Sequence, residues 1–284
     1  MTSTIDRRPL RRVVAVANGK GGVGKTTTST HMAAHVAAGQ QRVLLVDLDP
    51  QGNTAKDLGY VTDDRGAGLY RAVVAGTEPH ILRDVRPNLD VIPSGVETNE
   101  LADHMHTRRL RRGRSAMTAL AETLAPVAGT YDLVVLDCPP ADSDVLQDLA
   151  LVVAEYVLIP THSDLASREG MAEIARRFAA MADLNPDLKL LGVLLYGLTS
   201  RATTVRQLSR AWIERALGGQ APLFSTTIRH VESVAFDIRE QGQLAYELEA
   251  AGTRSAKGLS KDFRSLAGEV IRQMVVLEQK RVAR

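Results

Sequence analysis

Asn18-Gly19-Lys20-Gly21-Gly22-Val23-Gly24-Lys25-Thr26-Thr27 decides how this chain is read. It follows the apolar run Val13 to Ala17 and precedes Thr28 to Ala38, which reads as a helix. A strand, a glycine-rich turn and a helix, in that order, turn a glycine pattern into a phosphate-binding loop. Gly21, Gly22 and Gly24 let the backbone fold tightly and bring successive N–H groups up to phosphate oxygens. A helix beginning near Lys25 adds the positive end of its dipole. The spacing Gly19-x-x-x-x-Gly24-Lys25-Thr26 matches the phosphate-loop pattern at each defined position. Lys25 is then placed to reach the β- and γ-phosphates of a nucleotide, and the Thr26 hydroxyl to ligate Mg²⁺. The cradle as a whole comprises Gly21, Gly22, Val23, Gly24, Lys25, Thr26 and Thr27.

Two further stretches carry carboxylates at strand ends. Arg42-Val43-Leu44-Leu45-Val46-Asp47-Leu48-Asp49 is a continuous aliphatic run that ends in acids. Such a run predicts a strand buried on both faces, and ligands of open α/β sheets bind at strand carboxyl ends. Period-two alternation puts Asp47 and Asp49 on one side. A group near the γ-phosphate that hydrogen-bonds water is what hydrolysis needs. Tyr131 to Pro140 repeats the arrangement, with Leu133 to Leu136 ending in Asp137. This is the Walker B pattern, in which the Asp holds Mg²⁺, often through a water.

Lys20 sits among the glycines, where an ordinary phosphate loop needs no charge. Lys-Gly-Gly-Val-Gly-Lys-Thr-Thr, residues 20–27, resembles the deviant Walker A loop of the ParA/MinD superfamily. Asp47 to Asn53 and Asp137 to Pro140 resemble its other two signatures, and the pattern from Phe224 to Glu247 resembles the C-terminal part of ParA-type partition ATPases. The resemblance implies that Lys20 reaches across a dimer interface to the partner subunit's nucleotide. It implies that Asp49 orients the attacking water beside the metal, and that the segment after Asp137 senses the γ-phosphate. Lys20, Lys25 and Asp49 are thus the expected catalytic residues, and Thr26, Asp49 and Asp137 the expected metal neighbours. It further implies ATP and Mg²⁺ as ligands and a homodimer formed on ATP binding. Nonspecific DNA and a centromere-binding ParB-type adaptor are the implied partners, and the cytoplasm, on the nucleoid, the implied location. Basic residues of the C-terminal third contact DNA in such proteins; here the candidates are Arg229, Arg254, Lys257, Lys261 and Arg264. Residues 250–284 hold eight basic side chains against three acidic ones, a phosphate-binding footprint or a solvated helix face. Many relatives bind adenine through an Asn near residue 196, where this chain has Tyr196-Gly197.

Composition fits the same picture. The 284 residues are 44% hydrophobic and 24% charged, as in ordinary globules. Aromatics are only 4%, which argues against base stacking as a way of holding nucleic acid. A single cysteine, Cys138, excludes a disulfide framework and a cysteine metal cluster, and with it an iron–sulfur reading. The net charge of +2 is too small to argue any partner from the total. No apolar run is long enough to span a membrane, and no stable membrane association is expected.

The alternation of aliphatic strands and helices predicts an α/β fold, a mostly parallel twisted sheet with helices on both faces. Residues 1–12 read as a flexible basic tail and residues 13–284 as a single ATPase domain. Thr98 to Leu124 reads as one long helical region, with Arg108, Arg109, Arg111, Arg112 and Arg114 spread around most of its circumference. Those arginines fit either a solvated face or a DNA or partner contact. His31 and His35 are one helical turn apart and read as packing rather than metal ligands. Two rival functions share the loop: a MinD-like membrane-associated ATPase, through Val270, Ile271, Met274, Val275 and Leu277, and a nucleotide-gated scaffold that does not hydrolyse.

Overall fold

A computed structural model describes residues 6–140, 144–198, 203–217 and 223–282. The predicted strands assemble into one sheet: β1 (Val13–Val16), β2 (Val43–Asp47), β3 (Leu82–Arg86), β4 (Leu89–Ile92), β5 (Leu133–Asp137), β6 (Tyr156–Thr161), β7 (Lys189–Leu198) and β8 (Leu223–Arg229). Their order is β3-β4-β2-β5-β1-β6-β7-β8. Neighbours pair in parallel except at the β3–β4 edge, which is antiparallel. Strands β1, β2, β5 and β6 are buried along their whole length. That is why they read as unbroken aliphatic runs rather than as alternating ones.

Helices cover both faces. One face carries α1 (Lys25–Ala38), α2 (Asn53–Leu58), α9 (Glu232–Gln241), α10 (Ala245–Ala250) and α11 (Ala256–Val282), packed on Val14, Val16, Leu45 and Val135. The other carries α3 (Ala67–Ala75), α4 (Thr98–Arg112), α5 (Ala119–Ala128), α6 (Asp144–Val153), α7 (Leu165–Met181) and α8 (Thr203–Leu217), packed on Val13, Ala15, Leu44 and Leu136. The chain fills β2 and β4 on one side of β1 and β6 to β8 on the other. The carboxyl end of β1 is therefore a switch point, where a ligand crevice forms. Among the described residues no helix is long and apolar enough to cross a membrane.

Two expectations are corrected. The long helical region is interrupted: Gly113 takes φ +68, and a 3₁₀ turn over Gly113–Thr118 separates α4 from α5. A positive φ is where glycine replaces the next helical residue at low cost. The basic tail is anchored from Asp6 onward. The Arg7 guanidinium donates to the carbonyls of Val152, Val153 and Ala154 at 2.8, 3.1 and 3.2 Å, capping the end of α6. Leu10 is buried beneath a 3₁₀ turn. The remaining tail residues, 1–5, lie outside the described residues.

His31 ties the first helix to the last two. The Ala245 N–H donates to its Nε2 at 3.0 Å, so Nδ1 carries the proton and donates to the Thr27 carbonyl at 2.8 Å. Its ring stacks on Phe263 with centroids 4.0 Å apart. Burial pushes its pKa down from 6.5 to about 3, with charge from His35 adding to the effect. The unfolded chain protonates this group first, so its contribution is intact above pH 6.5 and is lost as pH falls towards 3. At pH 5 that costs about 2 kcal/mol. Urea titrations at pH 7 and pH 5 should show this loss in the wild type. His31→Gln, less stable at pH 7, should lose about 2 kcal/mol less between the two; parallel losses would remove His31 as the cause.

Candidate functional site

The loop that links β1 to α1 is held from beneath. Asn18 donates from Nδ2 to the Pro160 carbonyl at 2.8 Å and accepts the Lys20 N–H at 2.9 Å through Oδ1. Gly22 and Gly24 take φ of 75 and 81, conformations that L side chains rarely adopt. A Cβ on Gly21 or Gly22 would meet open space; one on Gly24 would strike the Tyr196 ring. Helix α1 opens directly on Lys25, so its unpaired N–H groups face the same space.

Charged groups converge there. Lys25 is buried, and its Nζ donates to the Lys20 carbonyl at 3.0 Å. Burial lowers its pKa, against an opposing pull from Asp137. Register pairs Asp47 with Asp137 across β2 and β5, both fully buried. Burial pushes both carboxyls well above the usual range, and the charge of Asp47 raises Asp137 further. Asp47 is bonded by the Thr54 hydroxyl at 2.5 Å and the Asp49 N–H at 2.9 Å, so it is committed to the loop. Asp137 accepts the Ser29 hydroxyl at 3.0 Å on Oδ1, while its Oδ2 is buried without a partner. Asp49 accepts the Gln51 N–H at 2.9 Å and faces the same hollow. Lys20 is elsewhere: its Nζ lies 2.7 Å from Asp164, away from Lys25.

A hollow of about 640 Å³ lies over this cluster, lined by Gly21, Gly22, Gly24, Lys25, Thr26, Thr27 and Asp49. An orphaned buried carboxylate oxygen, a buried ammonium whose hydrogen-bond partner is a carbonyl, and free space above two glycines fit a magnesium nucleotide. Asp137 with the Thr26 hydroxyl would hold the cation, a donor set that leaves room for the waters Mg²⁺ retains. Among the described residues no group of three or more His, Cys, Asp or Glu forms a denser metal site.

The far wall was not read from the sequence. It comes from Asp57, His162, Tyr196, Arg229, Phe236 and Arg239. Asp57 is fully buried, raised to about 6 chiefly by burial, with Arg239 3.7 Å away. His162 sits between two carbonyls, Tyr196 at 2.9 Å from Nδ1 and Gly22 at 3.1 Å from Nε2. Tyr196 stood out in the sequence for replacing the usual Asn, and Arg229 as a candidate DNA contact within the Phe224 to Glu247 pattern; nothing local marked Asp57, His162, Phe236 or Arg239 as lining this hollow.

The expected DNA residues divide. Arg229 is held by Asp262, with bonds of 2.7 and 2.8 Å, at the edge of the nucleotide hollow. Arg254, Lys257, Lys261 and Arg264 are exposed, and the last three stand on one face of α11 at spacings of four and three.

A family model described as an AAA domain matches residues 11–190. The chromosome partitioning protein ParA of Caulobacter vibrioides is 33% identical over 257 residues, 88% of this chain and 93% of that protein. The chromosome-partitioning ATPase Soj of Thermus thermophilus is 37% identical over 206 residues, 71% of this chain and 75% of that protein. Among solved structures, cobyrinic acid a,c-diamide synthase from Mycobacterium smegmatis with bound ADP and magnesium matches at a TM-score of 0.67 and 30% identity, covering 86% of this chain and 97% of that one.

The loop geometry separates two glycines that look alike in sequence. Gly24→Ala should lower stability by about 1–3 kcal/mol, through the left-handed backbone and the Tyr196 contact. Gly21→Ala should leave the melting curve of the ligand-free protein unchanged. Equal melting shifts would mean the Tyr196 contact does not constrain the loop.

Proposed function

Because this chain belongs to the ParA/MinD-type P-loop ATPases, we propose that it is a Mg²⁺-dependent ATPase that partitions DNA. The observation that carries this reading is that Lys25, Thr26 and Asp49 line one hollow, with the buried Asp137 at the end of the neighbouring strand, on a molecule whose helix α11 presents Lys257, Lys261 and Arg264 on an open face. Names of relatives point the same way: two are partition proteins, and the M. smegmatis neighbour holds ADP with magnesium.

In the proposed mechanism the loop N–H groups and Lys25 hold the β- and γ-phosphates. Thr26 and Asp137 would hold the cation, which would supply positive charge against the negative charge of the phosphates. Asp49 orients the water that attacks the γ-phosphate. Lys20 leaves Asp164 and reaches the nucleotide of a second subunit, closing a sandwich dimer over two nucleotides. Catalysis is then positioning and charge stabilisation, with little proton chemistry for the protein to perform. The ATP-bound dimer binds DNA without reading sequence, through the α11 face. A ParB-type adaptor stimulates hydrolysis and so releases the protein, which resides on the nucleoid in the cytoplasm. Unstimulated turnover is slow.

Two variants test separate parts. Asp49→Ala should abolish phosphate release, with DNA and adaptor present, while a fluorescent ATP analogue still binds; unchanged turnover would remove Asp49 from its place, and negligible turnover in the wild type would favour a scaffold. Lys257→Ala/Lys261→Ala/Arg264→Ala should weaken ATP-dependent binding to random-sequence duplex and reduce its salt slope by about 0.9 per lost phosphate contact. Ile271, Val275 and Val276 are exposed on the same helix, so anionic liposomes are the competing surface. Binding to liposomes and not to DNA would replace partition by a membrane-associated function.

A further inference from the structure

The arginines between residues 108 and 114 are not one solvated face. Arg109 donates from Nη1 to Asp148 at 2.8 Å. Arg114 is bound to Asp183 and to the Ala180 carbonyl. Arg109 is thus tied to a buried carboxylate, and Arg114 is paired at the surface. Arg108, Arg111 and Arg112 have no carboxylate within ion-pair distance among the described residues. They follow His104 and Thr107 at helical spacing, so these side chains share one side of α4. Together they line a hollow of about 570 Å³ against Val74 of α3. Asp103 is the one acid in that lining. The Arg108 Nε is buried and lacks a hydrogen-bond partner, a costly state for a donor unless a ligand supplies an acceptor.

The position of this side matters as much as its charge. Leu101 and Met105 of α4 pack into the core on one face of the sheet, and Leu259, Phe263 and Leu266 of α11 into the core on the other. The two basic surfaces of one subunit are thus separated by the sheet and its helix layers. A duplex seated on α11 would lie on the opposite face of the sheet from α4.

We propose that Arg108, Arg111 and Arg112 form a second duplex-binding surface, so that one subunit holds two DNA segments at once. The ligand chemistry is the phosphate backbone. Arginine forks suit phosphate oxygens in pairs. Among the described residues no Phe, Tyr or Trp lines the hollow; its one ring, His104, meets Tyr70 edge-on at 6.2 Å. The proposal rests on the DNA-partition reading above.

The test uses the full-length protein with ATP. Random-sequence duplex is tethered to beads and the capture of a second, labelled duplex is measured, alongside binding to one short duplex in solution. Arg108→Ala/Arg111→Ala/Arg112→Ala should lose capture at least tenfold while retaining short-duplex binding and ATP turnover. Arg111→Ala/Arg112→Ala, which spares the half-buried Arg108, should lose capture in the same direction if the triple variant folds poorly. In the Lys257→Ala/Lys261→Ala/Arg264→Ala background, residual duplex binding should show a salt slope near 2.7, about 0.9 for each of three arginines. Capture unchanged in both arginine variants overturns the inference and leaves the partition reading standing, since bridging would then come from α11 surfaces of a dimer. Wild type that binds one duplex but captures no second also overturns it alone. Wild type that binds no DNA overturns both. Binding of polyglutamate that the arginine substitutions abolish, with DNA capture intact, reassigns the hollow to an acidic protein partner and overturns the proposal.

Discussion

Ionisable groups are buried together where the carboxyl ends of β1, β2 and β5 meet, and the rest of the site is arranged around holding them there. Asp47, Asp137 and Lys25 are all taken out of water, yet no hydrogen bond joins the ammonium to either acid. Burying unpaired charge costs several kcal/mol for each group. The fold offsets this unevenly. Asp47 is satisfied by Thr54 and the backbone of Asp49, so it serves structure. Asp137 keeps one oxygen unpartnered, and Lys25 borrows a carbonyl from its own loop. Those two retain unused valence, and a ligand that brings phosphate and a cation satisfies both. Burial that would be a defect elsewhere is here what makes binding favourable.

This constraint explains which parts were legible in the sequence. Strands β1, β2, β5 and β6 are buried on both sides, so most of their residues are aliphatic and the run shows plainly. The loop needs glycine where φ is positive and lysine where phosphate sits, so its spacing is a direct imprint of its geometry. The carboxylates at strand tips follow from the sheet's polarity. In each case local structure and function demand the same residue types at short range.

What stayed hidden depends on contacts far apart in the chain. Tyr196 closes over Gly24, His162 braces Gly22, and Asp57 faces Arg239, all through tertiary packing with no periodicity to announce it. Arg229 looked like a free cation because Asp262, the residue that neutralises it, lies on another element. The arginines of α4 misled in the opposite sense. Counted along the sequence they spread around the helix; in the fold, Asp148 and Asp183 remove two of them and leave the remainder on one side. The helix break at Gly113 is local, yet a glycine in a helical pattern is ambiguous until the chain beyond it must turn to reach β5.

The Lys20–Asp164 pair shows how magnitudes decide what a contact is for. The distance of 2.7 Å is short, but the two side chains are 28% and 52% exposed. An ion pair so open to water contributes about 0–1 kcal/mol, and salt weakens it further. A triphosphate offers Lys20 several anionic oxygens in a site from which closure removes water, where charge-assisted bonds are stronger. Under the proposed mechanism, giving up Asp164 for phosphate would cost Lys20 little. The same weakness keeps the side chain from wandering without fixing it, so Lys20 stands at the rim of its own loop rather than in its own site. Lys25 differs in each respect: it is buried, short of acceptors and fixed at the start of α1. Solvent exposure separates the two lysines of one loop: Lys25 is buried at the start of α1, and Lys20 is open to water and paired only at the surface.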